Sequence, residues 1–246
     1  MENVPVITMS ARTIPPEIEE RYNLWYNTAY GPIYLKTPGI KGIDRYEIIK
    51  KNRALPGEIN LYHGESFESF KKVYSNPKSD RNAAAHDAVT SFNEITRFWL
   101  NIYELMGSFR ESTQGNVEST IVEGAPVIHI QGYKIVEPAS AKFESWFNKW
   151  ASQVYIPLLL KIPGLKACNF FTLVDFKDPG YTGVRFVESD MPRYISIFYL
   201  EKTESLEDFY QSTELAAFSG SLELGFPDSL KTLWNADYQL FASHRP

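Results

Sequence analysis

The chain has 246 residues, of which 43% are hydrophobic and 15% aromatic, and carries a net charge of -5. That is enough apolar material for one large domain or two of about 120 residues each. The charges are interspersed and no run of five basic residues occurs, which excludes the electrostatic footprint of a nucleic-acid or anionic-membrane partner. The single cysteine, Cys168, excludes a disulfide framework and a cysteine-based metal site, and its apolar strand context predicts an inert core thiol. The first residues show no secretory pattern and no apolar run approaches the roughly 20 residues that span a bilayer, so a cytoplasmic protein is expected.

Two phrases recur in the same order. Pro5-Val6-Ile7 returns as Pro126-Val127-Ile128, and Trp25-x-Asn27 followed by Pro38-Gly39 returns as Trp146-x-Asn148 followed by Pro163-Gly164. A recurring phrase order marks a duplicated structural unit. Each half opens with a short apolar strand, over 4–9 and 125–130. A helix start follows, with Thr13 as cap and Pro15 and Pro16 in the first turn of one half, and Pro138 in the other. Ile18, Tyr22, Trp25, Tyr26 and Ala29, and then Phe143, Trp146, Phe147, Trp150 and Val154, recur at steps of three and four, so both helices bury an aromatic face. The Pro-Gly steps end the helices, because proline breaks the hydrogen-bond ladder and glycine tolerates the left-handed turn. Second strands are expected over 40–49 and 165–176 and third strands over 58–63 and 194–200. Second helices open at Glu65-Ser66-Phe67-Glu68-Ser69-Phe70 and Glu204-Ser205-Leu206-Glu207-Asp208-Phe209, with Ser66 and Ser205 as N-caps. Last strands carry Trp99, Tyr103 and Leu105, and Trp234, Tyr238 and Leu240.

The offsets between the matched phrases are 121 (126 - 5), 125 (163 - 38), 139 (205 - 66) and 135 (234 - 99). Three length changes account for them: four residues added between Asn148 and Pro163, fourteen in the polar loop 177–192, and four removed near the second helix. The order in each half is that of the split βαβ, ferredoxin-like unit. The expected fold class is therefore α+β: two tandem ferredoxin-like domains, residues 1–110 and 125–246, joined by a linker over 111–124. Each sheet has helices on one face only, and packing sheet to sheet as an intrachain α+β barrel would cover the other.

The stretches Tyr30-Gly31-Pro32 through Pro38-Gly39 and Tyr155-Ile156-Pro157 through Pro163-Gly164 resemble the dimeric α+β barrel superfamily, particularly its EthD-like branch. The family motif has a histidine where this chain has Tyr30 and Tyr155. The resemblance implies a cofactor-independent enzyme for a small cyclic or aromatic metabolite, without carrying over a particular activity. A tyrosine can donate to a carbonyl or enolate, but with a reference pKa of about 10 it is a poor base.

The candidate catalytic residues are His129, Tyr30, Tyr155 and Asp44, and the candidate ligand-pocket residues are Thr8, His129, Asp44, Asn169, Tyr30 and Tyr155. Thr8 and His129 are equivalent positions of the first strands. If the purely aliphatic face of those strands meets the helices, both residues line the interior where a ligand would lie. Asp44 and Asn169 are equivalent in the second strands, and Arg45, its neighbour, points to the opposite face. No histidine pair has metal-ligand spacing and no phosphate loop or nucleophile elbow is present, so neither a metal nor a cofactor is expected. The expected partner is a small hydrophobic or aromatic ligand, with no nucleic acid and no membrane. The chain is expected as a monomer holding an intrachain pseudo-dimer, or a homodimer of it. Two alternatives stand beside the enzyme: a non-catalytic binding or assembly module, and a haem protein like the chlorite dismutases. Against the last, no histidine lies between His129 and His244.

Overall fold

The computed structural model describes residues 4–50, 54–74, 80–110, 121–135, 140–174, 192–226 and 230–246. The chain runs β1 (Val6–Thr13), α1 (Pro16–Trp25), a π-helical segment (Tyr26–Tyr30), α2 (Gly31–Leu35), β2 (Ile40–Ile48), β3 (Glu58–Gly64), α3 (Phe67–Tyr74), α4 (Asp80–Ser91) and β4 (Thr96–Arg110). It continues with β5 (Val127–Ile135), α5 (Ser140–Trp146), a second π-helical segment (Phe147–Tyr155), α6 (Ile156–Leu159), β6 (Leu165–Leu173), β7 (Tyr194–Leu200), α7 (Ser205–Gln211), α8 (Thr213–Gly225) and β8 (Leu230–His244). Among the described residues no helix is long and apolar enough to cross a membrane.

Two compact units divide the chain. The first comprises Met1–Glu104, Val174–Ser189 and Phe241–Pro246, and the second Leu105–Leu173 and Asp190–Leu240. In the first unit β1 pairs antiparallel with β4 and β3, and β3 with β2. In the second, β5 pairs antiparallel with β8 and β7, and β7 with β6. The opening strand of each half is thus central, with both of its edges paired.

The first core lies between the sheet and its helices. Val6, Ile43 and Tyr62 of the strands pack there with Ile18, Tyr22, Tyr26, Tyr34 and Phe70. In the second unit the corresponding layer is built of touching rings: Phe143 on Trp146, Phe147 on Phe170, Phe198 on Phe209 and Phe218, at centroid separations of 5.1–6.2 Å. Such ring pairs add about 0.5–1.5 kcal/mol each beyond the area that they bury. Cys168 is buried in β6, where burial pushes its thiol well above the ordinary range.

The π turns have a cause in the sequence. Pro32 and Pro157 lack an N–H, and their rings crowd the carbonyl four residues back. The preceding turn widens instead, so that the Gly31 N–H bonds to the Tyr26 carbonyl and the Ile156 N–H to the Ala151 carbonyl. The first segment has five residues and the second nine, so the four added residues expected between Asn148 and Pro163 reside in the widened turns.

Register corrects two of the other length changes. Glu58 to Gly64 of β3 match Tyr194 to Leu200 of β7, an offset of 136 (200 - 64). The Glu65 N–H bonds to the Gly39 carbonyl as the Glu201 N–H bonds to the Gly164 carbonyl, both at 2.9 Å, which carries the same offset past the strand end. The match between Glu65–Phe70 and Glu204–Phe209 in the sequence is therefore three residues out of structural register. In place of Ser66 and Ser205 as equivalent caps, Ser69 packs on Gly39 as Ser205 packs on Gly164, and Ser205 is already the first helical residue. Thr13 is not a cap either: it ends β1, where its hydroxyl accepts from the Gly57 N–H at 3.0 Å, and Pro15 precedes the helix. Pro138 and most of the loop 177–192 and linker 111–124 lie outside the described residues.

Candidate functional site

Strand alternation places Val6, Thr8, Ser10 and Arg12 of β1 on one face, with Asn60 and Tyr62 of β3 beside them in register. Because Val6 and Tyr62 belong to the helix-side core, this mixed face turns toward the helices. The expectation that the aliphatic face would do so is corrected. Polar side chains can stand under a helix here because they bond to one another.

Those bonds build a charged layer beneath α1 and the first π segment. Arg45 is fully buried, and its guanidinium meets Glu58 at 3.2 Å, Asn23 at 2.6 Å and Asn27 at 3.1 Å. It lies 4.0 Å from the centroid of the Tyr26 ring and 4.6 Å from that of Phe241, a cation held between two aromatic faces. Arg12 reaches Glu58 at 3.7 Å and donates to the Tyr22 hydroxyl. Tyr26 donates to the Tyr62 hydroxyl at 3.0 Å. Two guanidinium groups thus face one carboxylate, and a layer with excess positive charge in a low-dielectric setting favours an anion. Burial opposes the charge on Arg12, but Glu58, Tyr62 and Tyr26 outweigh it and raise its pKa. Tyr26 is pushed well above the ordinary phenol range by burial first and by Tyr62 next, against the pull of Arg45 and Arg12. It remains a neutral donor. Asn23 is half-buried and Asn27 exposed, so the Arg45 end of the layer borders solvent.

Thr8 Oγ1, Arg45 Nε and His244 Nε2 of this layer are buried without a hydrogen-bond partner among the described residues. Each such atom costs about 1–3 kcal/mol unless something bonds to it. The His244 ring sits 6.2 Å from that of Tyr26, and burial, with Arg45 and Arg245 behind it, lowers its pKa so that the neutral imidazole is favoured.

Tyr30, at the end of the first π segment, is buried in a row of rings, 5.2 Å from Trp25, 5.3 Å from Tyr26 and 5.9 Å from Tyr34. Tyr155 ends the second π segment and is half-buried. Asp44 projects from the other face of β2, away from Arg45. Its carboxylate takes the His63 Nε2 at 2.8 Å, the Ser243 hydroxyl at 2.7 Å and the Arg245 guanidinium at 2.8 Å. Burial alone would raise its pKa, but the hydrogen bond and charge of His63, then Ser243 and Arg245, hold it well below the usual carboxylate range. The matched pair of the second unit is Asn169, which donates to the Tyr199 hydroxyl at 3.1 Å. His129 meets Asp237 and Tyr210 instead, at 2.8 and 3.0 Å from its Nδ1.

Among the described residues no three His, Cys, Asp or Glu side chains gather as a metal site. Haem does not fit either. It needs an imidazole facing a space wide enough for a macrocycle, and in the second unit His129 is wedged among the rings of Phe198, Phe209 and Tyr210 at 5.2–5.8 Å.

Arg12, Arg45, Glu58, Asn60, Tyr26 and Tyr62 are not among the candidate residues expected from the sequence. A signal was there: Glu58, Asn60 and Tyr62 alternate with Ile59 and Leu61, a polar stripe of period two in a buried strand.

No family model and no curated protein matches the chain. Solved structures do. An anthrone oxidase-like protein superposes with a TM-score of 0.66 at 13% identity, covering 99% of this chain and 93% of its own. A candidate monooxygenase from Fusobacterium nucleatum gives 0.61 at 10% identity, covering 100% and 96%. A chlorite dismutase from Candidatus Nitrospira defluvii gives 0.56 at 10% identity, covering 98% and 93%. All are members of the dimeric α+β barrel superfamily, and the likeness over the whole length gives this chain the same fold. The resemblance drawn from the Pro-Gly steps is borne out at that level.

Proposed function

We propose that the chain is an enzyme that acts on a small cyclic or aromatic carbonyl compound without a bound cofactor, in the charged layer of the first unit. The observation that carries this reading is Arg45, buried between the rings of Tyr26 and Phe241 with its Nε unpartnered among the described residues. In this reading the planar substrate lies along the aromatic row and its oxygen becomes an enolate or phenolate. Arg45 and the Tyr26 and Tyr62 hydroxyls stabilise that charge, which is where preorganised donors contribute most. Glu58, held on the same guanidinium, takes the proton. The similarity to an anthrone oxidase-like protein and to a candidate monooxygenase supports an oxidative reaction of this kind.

The test uses an anthrone in air-saturated buffer. Oxidation of anthrone by dioxygen gives anthraquinone and water, one dioxygen consumed per ketone formed. Oxygen uptake and quinone absorbance should rise above the uncatalysed rate with the wild type and fall to it with Arg45→Met. Saturable binding of the anthrone with no turnover would instead favour the non-catalytic binding module.

A further inference from the structure

The helix–sheet layer of the second unit holds a polar group that the first unit's site does not use. His129 of β5 and Asp237 of β8 are direct cross-strand neighbours, with Nδ1 2.8 Å from Oδ1. Tyr210 of α7 donates to the same carboxylate oxygen at 2.7 Å and stands 3.0 Å from Nδ1. A carboxylate supplies no proton, so Nδ1 carries the hydrogen, and in the neutral imidazole Nε2 then carries the lone pair. That Nε2 is buried and has no hydrogen-bond partner among the described residues. An acceptor buried in an apolar setting without a donor is held at a cost. The rings of Phe198, Phe209 and Tyr210 surround the imidazole, and Tyr210 is about half exposed, so solvent is one side chain away.

The charges of the first layer have no counterpart here. The positions matching Arg12, Arg45 and Glu58 are Tyr133, Phe170 and Tyr194. The charged group beside the imidazole is the Asp237 carboxylate, already bonded to Nδ1 and to the Tyr210 hydroxyl, and a lone pair next to an anion suits a neutral hydrogen-bond donor with a flat apolar body. We propose that the second unit carries its own ligand site, in which His129 Nε2 accepts from the hydroxyl of a neutral planar ring compound packed against Phe198, Phe209 and Tyr210. Asp237 is a positioning residue that fixes the tautomer, and Tyr210 is the wall toward solvent. The site stands whether or not the first unit turns over a substrate.

The probe is 2-naphthol, titrated into the 15N-labelled full chain while the His129 ring nitrogens are followed by NMR. The expected result is an Nδ1–H tautomer in the free protein and a saturable shift of the Nε2 signal on titration. Arg45→Met should leave that shift intact, and 2-naphthoate should not compete for it. Asp237→Asn should move the hydrogen to Nε2 and weaken naphthol binding by about fivefold or more, the scale of one lost hydrogen bond. The proposal is overturned if the Nε2 signal does not shift up to the solubility of the probe, or if the shift vanishes in Arg45→Met while that variant keeps a folded NMR spectrum. It is equally overturned if Asp237→Asn leaves the tautomer unchanged, or moves it and leaves binding intact. The wild-type titration needs no variant of His129, so a variant that fails to fold does not remove the test.

Discussion

The Arg45 guanidinium lies 4.0 Å from the centroid of the Tyr26 ring and 3.2 Å from both oxygens of Glu58, so one buried cation joins an aromatic face to a carboxylate. Removing one partner of a buried ion pair leaves the other uncompensated. Arg45→Met should therefore lower the unfolding free energy by about 3–5 kcal/mol in urea titrations. Arg45→Lys keeps the charge but loses the planar fork that spans Asn23, Asn27 and Glu58. It should recover part of the stability and little of any anthrone turnover; full recovery of turnover would show that charge alone suffices.

Alkaline stability should fall steeply. Burial raises the phenols of Tyr26, Tyr103, Tyr133 and Tyr238 above their ordinary range. A raised folded pKa contributes stability that is complete below the unfolded value of about 10 and is lost as pH climbs from there through the folded value. Each such tyrosine removes about 1.4 kcal/mol per pH unit in that window. Urea midpoints measured from pH 8 to 11 should bend downward near pH 10, and Tyr26→Phe should make the slope shallower.

Acid behaviour runs the opposite way through Asp44. Its folded pKa is depressed, so its contribution is complete above the unfolded value of about 3.9 and drains away as pH falls toward the folded one. Asp44→Asn should cost stability at pH 6 and flatten the acid limb between about pH 4 and 2. Parallel acid limbs for wild type and variant, by thermal melting, would rule out this carboxylate as the source.

Gly164 has a φ of +79°, and a side chain there would strike Ser205. Gly164→Ala should therefore destabilise the chain by about 1–3 kcal/mol, from backbone strain and crowding together. Adding Ser205→Gly relieves only the crowding, so calorimetry should show partial rescue; complete rescue would mean that the left-handed backbone costs nothing.

The strands, their order and both Pro-Gly steps were legible because apolar periodicity and proline chemistry act locally. Thr8 with His129 and Asp44 with Asn169 were correctly paired as equivalents, since strand register preserves fixed offsets. The face that meets the helices was not legible. Val6 and Thr8 read as a mixed face, and only the bonds of Arg12 and Arg45 to helix residues, with Glu58 on both guanidinium groups, make such a face suitable beneath a helix. Arg45 does point away from Asp44, as strand alternation requires, but into the layer that matters. The partners of His129 were out of reach for another reason: Asp237 lies 108 positions away, and only strand pairing brings it across. The serine match misled because two similar turns of sequence sit one helical turn apart.

The two π turns have a consequence for how such a chain can change over time. Four residues are close to one helical turn, so lengthening the second π segment returns Tyr155 to nearly the angular position that Tyr30 holds. The Pro-Gly step beyond it restarts the strand in unchanged register. The segment behaves as a telescoping joint, able to alter the reach of the helix by whole turns while the sheet is left untouched.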